Sequence, residues 1–129
     1  MRRVVVDASA LAAVVFEEPS SDDVAPRLQR AAVYAPTLLK FELTNTAWKK
    51  MRAPGADRDA VLTALDKALA PRRGIVWHEV NHTDVALIAR ETGLSTYDAS
   101  YLWLAGWLGA DLVTLDQRLE AAVLALSHV

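Results

Sequence analysis

Four carboxylates stand where a folded chain could bring them to one place. Asp7 follows three consecutive β-branched residues, Val4-Val5-Val6, and Asp116 follows Leu112-Val113-Thr114-Leu115. Both runs have the character of strands buried on both faces, and a helical pattern starts directly after each acid. In open parallel sheets ligands bind beyond the carboxyl ends of the strands, so an acid at that position has something to act on. Asp98 falls in the first turn of a helix that Thr96 is expected to cap. Glu42 lies in a polar stripe with Asn45, Lys49 and Arg52, at spacings of three, four and three, on a helix otherwise rich in Leu38, Leu39, Phe41, Leu43, Ala47, Trp48 and Met51. Each acid has a plain structural explanation as well. Aspartate is a good helix N-cap, the helix dipole favours an acid in the first turn, and Glu42 could belong to a solvated face beside Lys49.

Convergence of the four would change that balance. Two like charges about 5 Å apart repel by about 3 kcal/mol at an effective dielectric near 20, which protonation or a bound cation must relieve. Ligands that are all oxygen, with no cysteine and no suitably placed histidine, favour hard divalent ions such as Mg2+ or Mn2+. Such ions serve phosphodiester hydrolysis by activating water and stabilising the leaving oxygen.

The elements that must position these residues alternate. After the first strand, residues 8–16 read as a short apolar helix, and Ser20 or Ser21 caps a second one to about residue 30. A strand over 32–35 leads into a helix from Pro36-Thr37 to about residue 52, closed by Ala53-Pro54-Gly55. Residues 56–69 form another helix, the turn 71–74 precedes a strand over 75–77, and Asn81 caps a helix to 91, with Asp84 at capping-box distance. The Thr96 helix runs to 107, the strand 112–115 follows, Asp116 opens a last helix, and residues 125–129 are expected to add an edge strand. This alternation predicts a three-layer α/β fold, a parallel sheet of four or five strands with helices on both faces.

At 129 residues the chain is expected to be one domain, 1–129, able to bury about two-thirds of its unfolded surface. Its 53% hydrophobic and 23% charged content argues against disorder. The net charge of −2 does not announce a nucleic-acid partner, although a local patch matters more than the sum. The absence of cysteine removes disulfides and thiol chemistry. Asp7 interrupts what could have been a signal-peptide core, and no apolar run approaches the ~20 residues of a membrane span, so a soluble, cytoplasmic protein is expected.

Four segments together resemble the motifs of PIN-domain ribonucleases, most closely the VapC-type toxins of toxin–antitoxin pairs: Val4-Val5-Val6-Asp7-Ala8-Ser9-Ala10-Leu11, Glu42-Leu43-Thr44-Asn45, Tyr97-Asp98-Ala99-Ser100-Tyr101 and Val113-Thr114-Leu115-Asp116-Gln117-Arg118-Leu119. Each is weak alone; four in this order across the whole chain are specific. The resemblance implies a Mg2+- or Mn2+-dependent endoribonuclease, normally a homodimer, held inactive by a small antitoxin. By position it implies that Asp7, Glu42, Asp98 and Asp116 bind metal, that Ser9 and Thr114 support the site, and that Asn45 is the polar neighbour of the glutamate. Tyr97 and Tyr101 are expected to pack or buttress their helix.

An acidic centre still needs positive charge for RNA phosphates. Lys49 and Arg52, in a cluster with Lys50, continue the Glu42 stripe and are the candidates, with a solvated face as the plain alternative; Arg72-Arg73 sits in a turn. Trp48 and Trp77 read as packing residues, while the apolar helix of Trp103 and Trp107 reads as core with some dimer or antitoxin surface. His78-Glu79-Val80-Asn81-His82 matches the zinc protease pattern H-E-x-x-H, but that chemistry needs both histidines on one helical face, and here a strand and a helix start divide them. A receiver-like phosphorylation switch lacks its late lysine, since no lysine follows Lys67, and a D-x-D phosphatase fails because Ala8-Ser9 follows Asp7. A non-catalytic PIN-fold module acting only within an antitoxin/repressor complex remains the alternative from another class.

Overall fold

Val4, Val5 and Val6 have no exposed surface, while Arg2 and Arg3 before them are exposed. That contrast marks β1 (Arg2–Val6) as a strand entering the core at its carboxyl end. The computed structural model describes residues 1–126. In it β1 is flanked on one side by β2 (Ala31–Pro36) and then β3 (Val76–His78), and on the other by β4 (Asp111–Val113), all parallel, in the order β3-β2-β1-β4. Val4 pairs with Val33 of β2, and Val6 with Val113 of β4. The Asp7 backbone N–H continues the ladder to the Val113 carbonyl at 3.2 Å.

The helices are α1 (Ala8–Val15), α2 (Ser21–Leu28), α3 (Leu38–Met51), α4 (Arg58–Leu69), α5 (His82–Thr92), α6 (Thr96–Leu108) and α7 (Gln117–Leu126), with a 3₁₀ turn over Pro71–Arg73. Strand order runs outward from β1 to β3 and then returns to β4. Right-handed crossovers therefore send the connections before β3 and the one after it to opposite faces, making three layers. α6 packs along β1, β2 and β4. Tyr101 and Leu104 from α6, Leu11 from α1 and Leu39 and Leu43 from α3 complete the core around the three valines. The reversal of strand order falls at β1 and β4, so the ligand crevice of such a sheet opens beyond Val6 and Val113.

Several expectations need correction. Residues 125 and 126 end α7 rather than forming a fifth strand, because the apolar pattern from Leu119 onward follows helical spacing; residues 127–129 lie outside the described ones. Pro36 closes β2 instead of opening α3. Ser95, not Thr96, caps α6, its side chain accepting from the Asp98 N–H at 3.1 Å. Asn81 caps α5 as expected, but the Asp84 carboxylate turns to the Trp103 indole N–H (3.2 Å). α3 buries only the stripe Leu39, Leu43 and Ala47; Phe41 is 74% exposed and Trp48 is also exposed, so its apolar circumference is not a measure of burial.

Leu11 is fully buried and Phe41 is not, so their truncations should differ sharply. Leu11→Ala should lower unfolding free energy by about 2–5 kcal/mol in urea denaturation, whereas Phe41→Ala should stay within about 0.5 kcal/mol of the parent.

Candidate active site

Asp7 is the N-cap of α1 and a nearly buried carboxylate, only 5% exposed. Its Oδ1 accepts from the Ala10 backbone N–H at 3.0 Å and the Ser9 hydroxyl at 2.8 Å; its Oδ2 accepts from the Thr114 hydroxyl at 2.5 Å. Each hydroxyl also accepts from a backbone N–H of the β4–α7 turn. Ser9 Oγ takes the Leu115 N–H (3.1 Å) and Thr114 Oγ1 takes the Asp116 N–H (2.9 Å). The β1–α1 and β4–α7 turns are thus laced together across Asp7. Asp116 in turn caps α7 through Oδ1 and the Leu119 N–H at 3.0 Å. Capping and clustering are two uses of the same side chains.

Glu42 comes from the middle of α3. Its Oε1 accepts the phenolic hydrogen of Tyr101, which is only 1% exposed, and the Ala8 backbone N–H faces the same phenol oxygen. The tyrosine therefore joins α3, α6 and the start of α1. Tyr101 buttresses its helix as expected, but its hydroxyl also aims the Glu42 carboxylate. The signal was available: Tyr101 lies three residues after Asp98, on the same helical face. Tyr97, by contrast, is 61% exposed and does not pack.

The four acids lie within one another's fields. Burial raises the proton affinity of Asp7, against the hydrogen bonds of Thr114, Ala10 and Ser9, and the Asp116 charge raises it further. Burial likewise raises Glu42; the Tyr101 bond lowers it, and the charges of Asp98 and Asp7 raise it. Asp98, half-buried in the first turn of α6, is raised by burial and then by the Asp116 charge, while its bond to Ser95 and the Arg118 guanidinium lower it. The Tyr101 hydroxyl is pushed far above its ordinary value by burial and by the Glu42 charge. Arg118 is a residue that spacing alone did not single out. It donates from Nη2 to the Gly93 carbonyl at 3.3 Å, which holds a cation at the rim of the cluster.

Ser9, Glu42 and Asn45 line one open cleft of about 480 Å3, which places Asn45 beside the glutamate. Lys49 and Arg52 lie farther along α3, roughly 10 and 15 Å from Glu42 at the helical rise per residue. Arg52 stacks over Trp48 with its guanidinium 4.6 Å from the ring centre, and Lys50 pairs with Glu18 at 3.5 Å. Lys40 sits 4.8 Å over Trp77. His78 ends β3 and His82 starts α5, so the H-E-x-x-H pair shares no helical face.

The donors suit a hard divalent cation in kind: they are carboxylate oxygens, and those of Asp7, Glu42 and Asp98 are raised in proton affinity. Asp7 uses three of the roughly four acceptor positions an ionised carboxylate offers, leaving one. Among the described residues, however, no three His, Asp or Glu side chains stand close enough to form a finished ion cage. Binding would require the acids to draw in.

This is an α/β protein with carboxylates from four elements at the carboxyl edge of its parallel sheet, around the strand-order reversal. The sequence matches the PIN domain over residues 4–123, and the chain belongs to that family. It is similar to the VapC-type members. It is 29% identical over 127 residues to Ribonuclease VapC3 of Pyrobaculum aerophilum, spanning 96% of this chain and 97% of that one. It is 34% identical over 116 residues to Exonuclease VapC9 of the same organism, spanning 90% and 82%. Among solved structures, PAE2754 from Pyrobaculum aerophilum matches with a TM-score of 0.73 at 31% identity, covering 97% of this chain and 93% of that one. The sarcin-ricin loop cleaving toxin VapC20 of Mycobacterium tuberculosis shares the fold, with a TM-score of 0.68 at 16% identity, covering 92% and 94%.

The raised carboxyls have a consequence for stability. Just above the ordinary values of 3.8 for Asp and 4.5 for Glu, the folded chain binds more protons at Asp7, Glu42 and Asp98 than the unfolded one. Their contribution to stability is therefore full below those values and is lost as pH climbs through the raised ones. Melting temperature in EDTA should rise as pH falls from neutral into that window. Asp98→Asn should raise it at neutral pH and flatten the slope; an unchanged or steeper slope in the variant would contradict the clustering.

Proposed function

We propose that this chain is a metal-dependent endoribonuclease toxin that hydrolyses RNA phosphodiester bonds and is neutralised by a small cognate antitoxin. The observation that supports it most is the buried Asp7 carboxylate, braced by Ser9 and Thr114 and sharing its field with Glu42 and Asp116, at the crevice of a PIN-family sheet. The names of the VapC relatives support the substrate and the toxin role.

In this reading Asp7, Glu42, Asp98 and Asp116 hold Mg2+ or Mn2+. An ion held there would supply activation of water and stabilisation of charge on the phosphoryl oxygens. Asp7, gripped by three donors, offers an oxygen with almost no rotational freedom. Tyr101 holds Glu42 in one orientation, so that its other oxygen is presented to the crevice. Asp98, one turn inside α6 and facing the Asp116 charge, would help position the attacking water, whose proton passes to solvent. The water oxygen bonds to phosphorus in line with the 3′ oxygen. The P–O3′ bond breaks, the leaving 3′ oxygen takes a proton from solvent water, and the products are a 3′ hydroxyl and a 5′ phosphate. Arg118 at the rim offers positive charge to the RNA backbone, and Lys49 and Arg52 carry that track along α3. The working unit is a cytoplasmic homodimer of a single-domain chain; no helix among the described residues is long and apolar enough to cross a membrane.

A non-catalytic module within an antitoxin/repressor complex is favoured by one fact, that Asp7 and Asp116 already serve as helix caps. Cleavage of total RNA separates the two. The wild type with Mn2+ should cut internally and leave 5′ phosphates, EDTA should stop it, and Asp98→Asn should lower the rate by a hundredfold or more. Equal residual activity in both proteins would support the binding module. Reversing the charge of Lys49 and Arg52 should weaken RNA binding and reduce its salt slope by about two, one for each lost phosphate contact; an unchanged slope would remove these residues from the track.

A further inference from the structure

Beside the acids, on the same carboxyl edge but toward β3, lies a second cavity of about 310 Å3 that the cleavage chemistry does not use. It is formed where α3, α5 and α6 all begin. Leu38 and Val85 give it an apolar floor; Thr37, Glu79, His82 and Tyr97 give it a polar and aromatic rim. The cavity adjoins the catalytic cluster through two elements. Tyr97 directly precedes Asp98, and Leu38 stands one turn before Glu42 on α3. The Tyr97 ring, 61% exposed, contributes nothing to the core that would explain it. At the rim the Thr37 hydroxyl donates to Glu79 Oε1 at 3.3 Å, holding an exposed carboxylate at the mouth.

An apolar floor, an available aromatic face and one oriented acceptor are what a splayed base of single-stranded RNA requires: stacking on a ring and hydrogen bonds on its Watson–Crick edge. A volume near the lower end of ligand-site sizes suits one base rather than a larger molecule. A carboxylate repels phosphate, so the rim accepts N–H donors, and guanine presents two adjacent ones at N1 and N2. We infer that this cavity is a base pocket that takes one unstacked guanine beside the phosphodiester held at the acids, with Tyr97 as stacking face and Glu79 as acceptor. The inference rests on the ribonuclease reading for its ligand, and it gives that reading a base preference next to the cut.

The test uses the full chain and two readouts. One is the profile of bases flanking the cut in a random-sequence RNA pool with Mn2+. The other is binding of labelled single-stranded pentanucleotides carrying G or U at the centre, in EDTA, where nothing is cut. The wild type should favour guanine in both. Tyr97→Ala should abolish that preference and weaken binding of the G oligonucleotide about tenfold, the order of one lost base stack. Tyr97→Phe should restore it, and Glu79→Gln should narrow the G-over-U difference by weakening G while leaving U unchanged. Unchanged melting curves are expected, since both side chains are exposed. If wild type and variants cut RNA with one shared flanking profile and bind G and U alike, the pocket is overturned and the ribonuclease reading stands. If no RNA is cut but G-selective binding disappears in Tyr97→Ala, the pocket stands and the hydrolase reading falls. Absence of both cleavage and base-selective binding overturns the pocket as well.

Discussion

The structure depends on keeping a charged oxygen pair inside the protein at the end of its central strand. Asp7 is surrounded by the most deeply buried part of the fold, and burial by itself would drive its proton affinity up. The Ala10 amide and the Ser9 and Thr114 hydroxyls oppose that, and each hydroxyl has its own second bond to a backbone N–H of the β4–α7 turn. Removing the buried Thr114 hydroxyl would leave the Asp7 carboxylate and the Asp116 amide short of a partner together, the expensive case for polar burial, whereas Ser9 and the Leu115 amide are open to water. The two turns at the strand-order reversal are thereby fixed relative to each other, which is the geometry that a shared catalytic centre requires.

Capping and chemistry are not rival explanations here. An N-cap carboxylate sits at the positive end of a helix, accepts backbone N–H bonds and is held in one rotamer. Those properties also make a well-placed, negatively charged ligand oxygen. Asp7 and Asp116 obtain their orientation from α1 and α7, while Asp98 stands one turn inside α6. Glu42 alone comes from mid-helix and has no such help. Tyr101 supplies it from a buried position on the neighbouring helix, so the fourth acid is oriented by packing rather than by a helix end.

Burial of these carboxylates, with their mutual repulsion second, is the cost of the site. Arg118 offsets part of it at Asp98, and nothing comparable reaches Asp7 or Glu42. The crevice consequently stores a preference for positive charge, whether a proton or a divalent cation. This connects the burial of β1 directly to the chemistry at its end.

The alternation of valine-rich strands with capped helices, the parallel sheet and the placement of Asp7 at a strand end were legible in the residues, because period, capping and strand burial are local properties of the chain, whereas β4 ends at Val113 and leaves Asp116 beyond a turn. So was the candidacy of Glu42 and Asp98, through the motifs they share with PIN-domain proteins. Local pattern failed where burial depends on what lies opposite. Phe41 and Trp48 look like core and face outward, since α3 meets its neighbours along only one stripe; Pro36 looks like a helix start and ends a strand, since β1 and β3 flank it; Ala125 and Leu126 continue α7. The hydroxyl bridges from Asp7 to Thr114, the grip of Tyr101 on Glu42 and the cavity beside Tyr97 each join residues far apart in the chain or on separate elements. Their existence was decided by tertiary packing, because a hydrogen bond or a cavity is set by the distance between elements, and no spacing along the sequence encodes that distance.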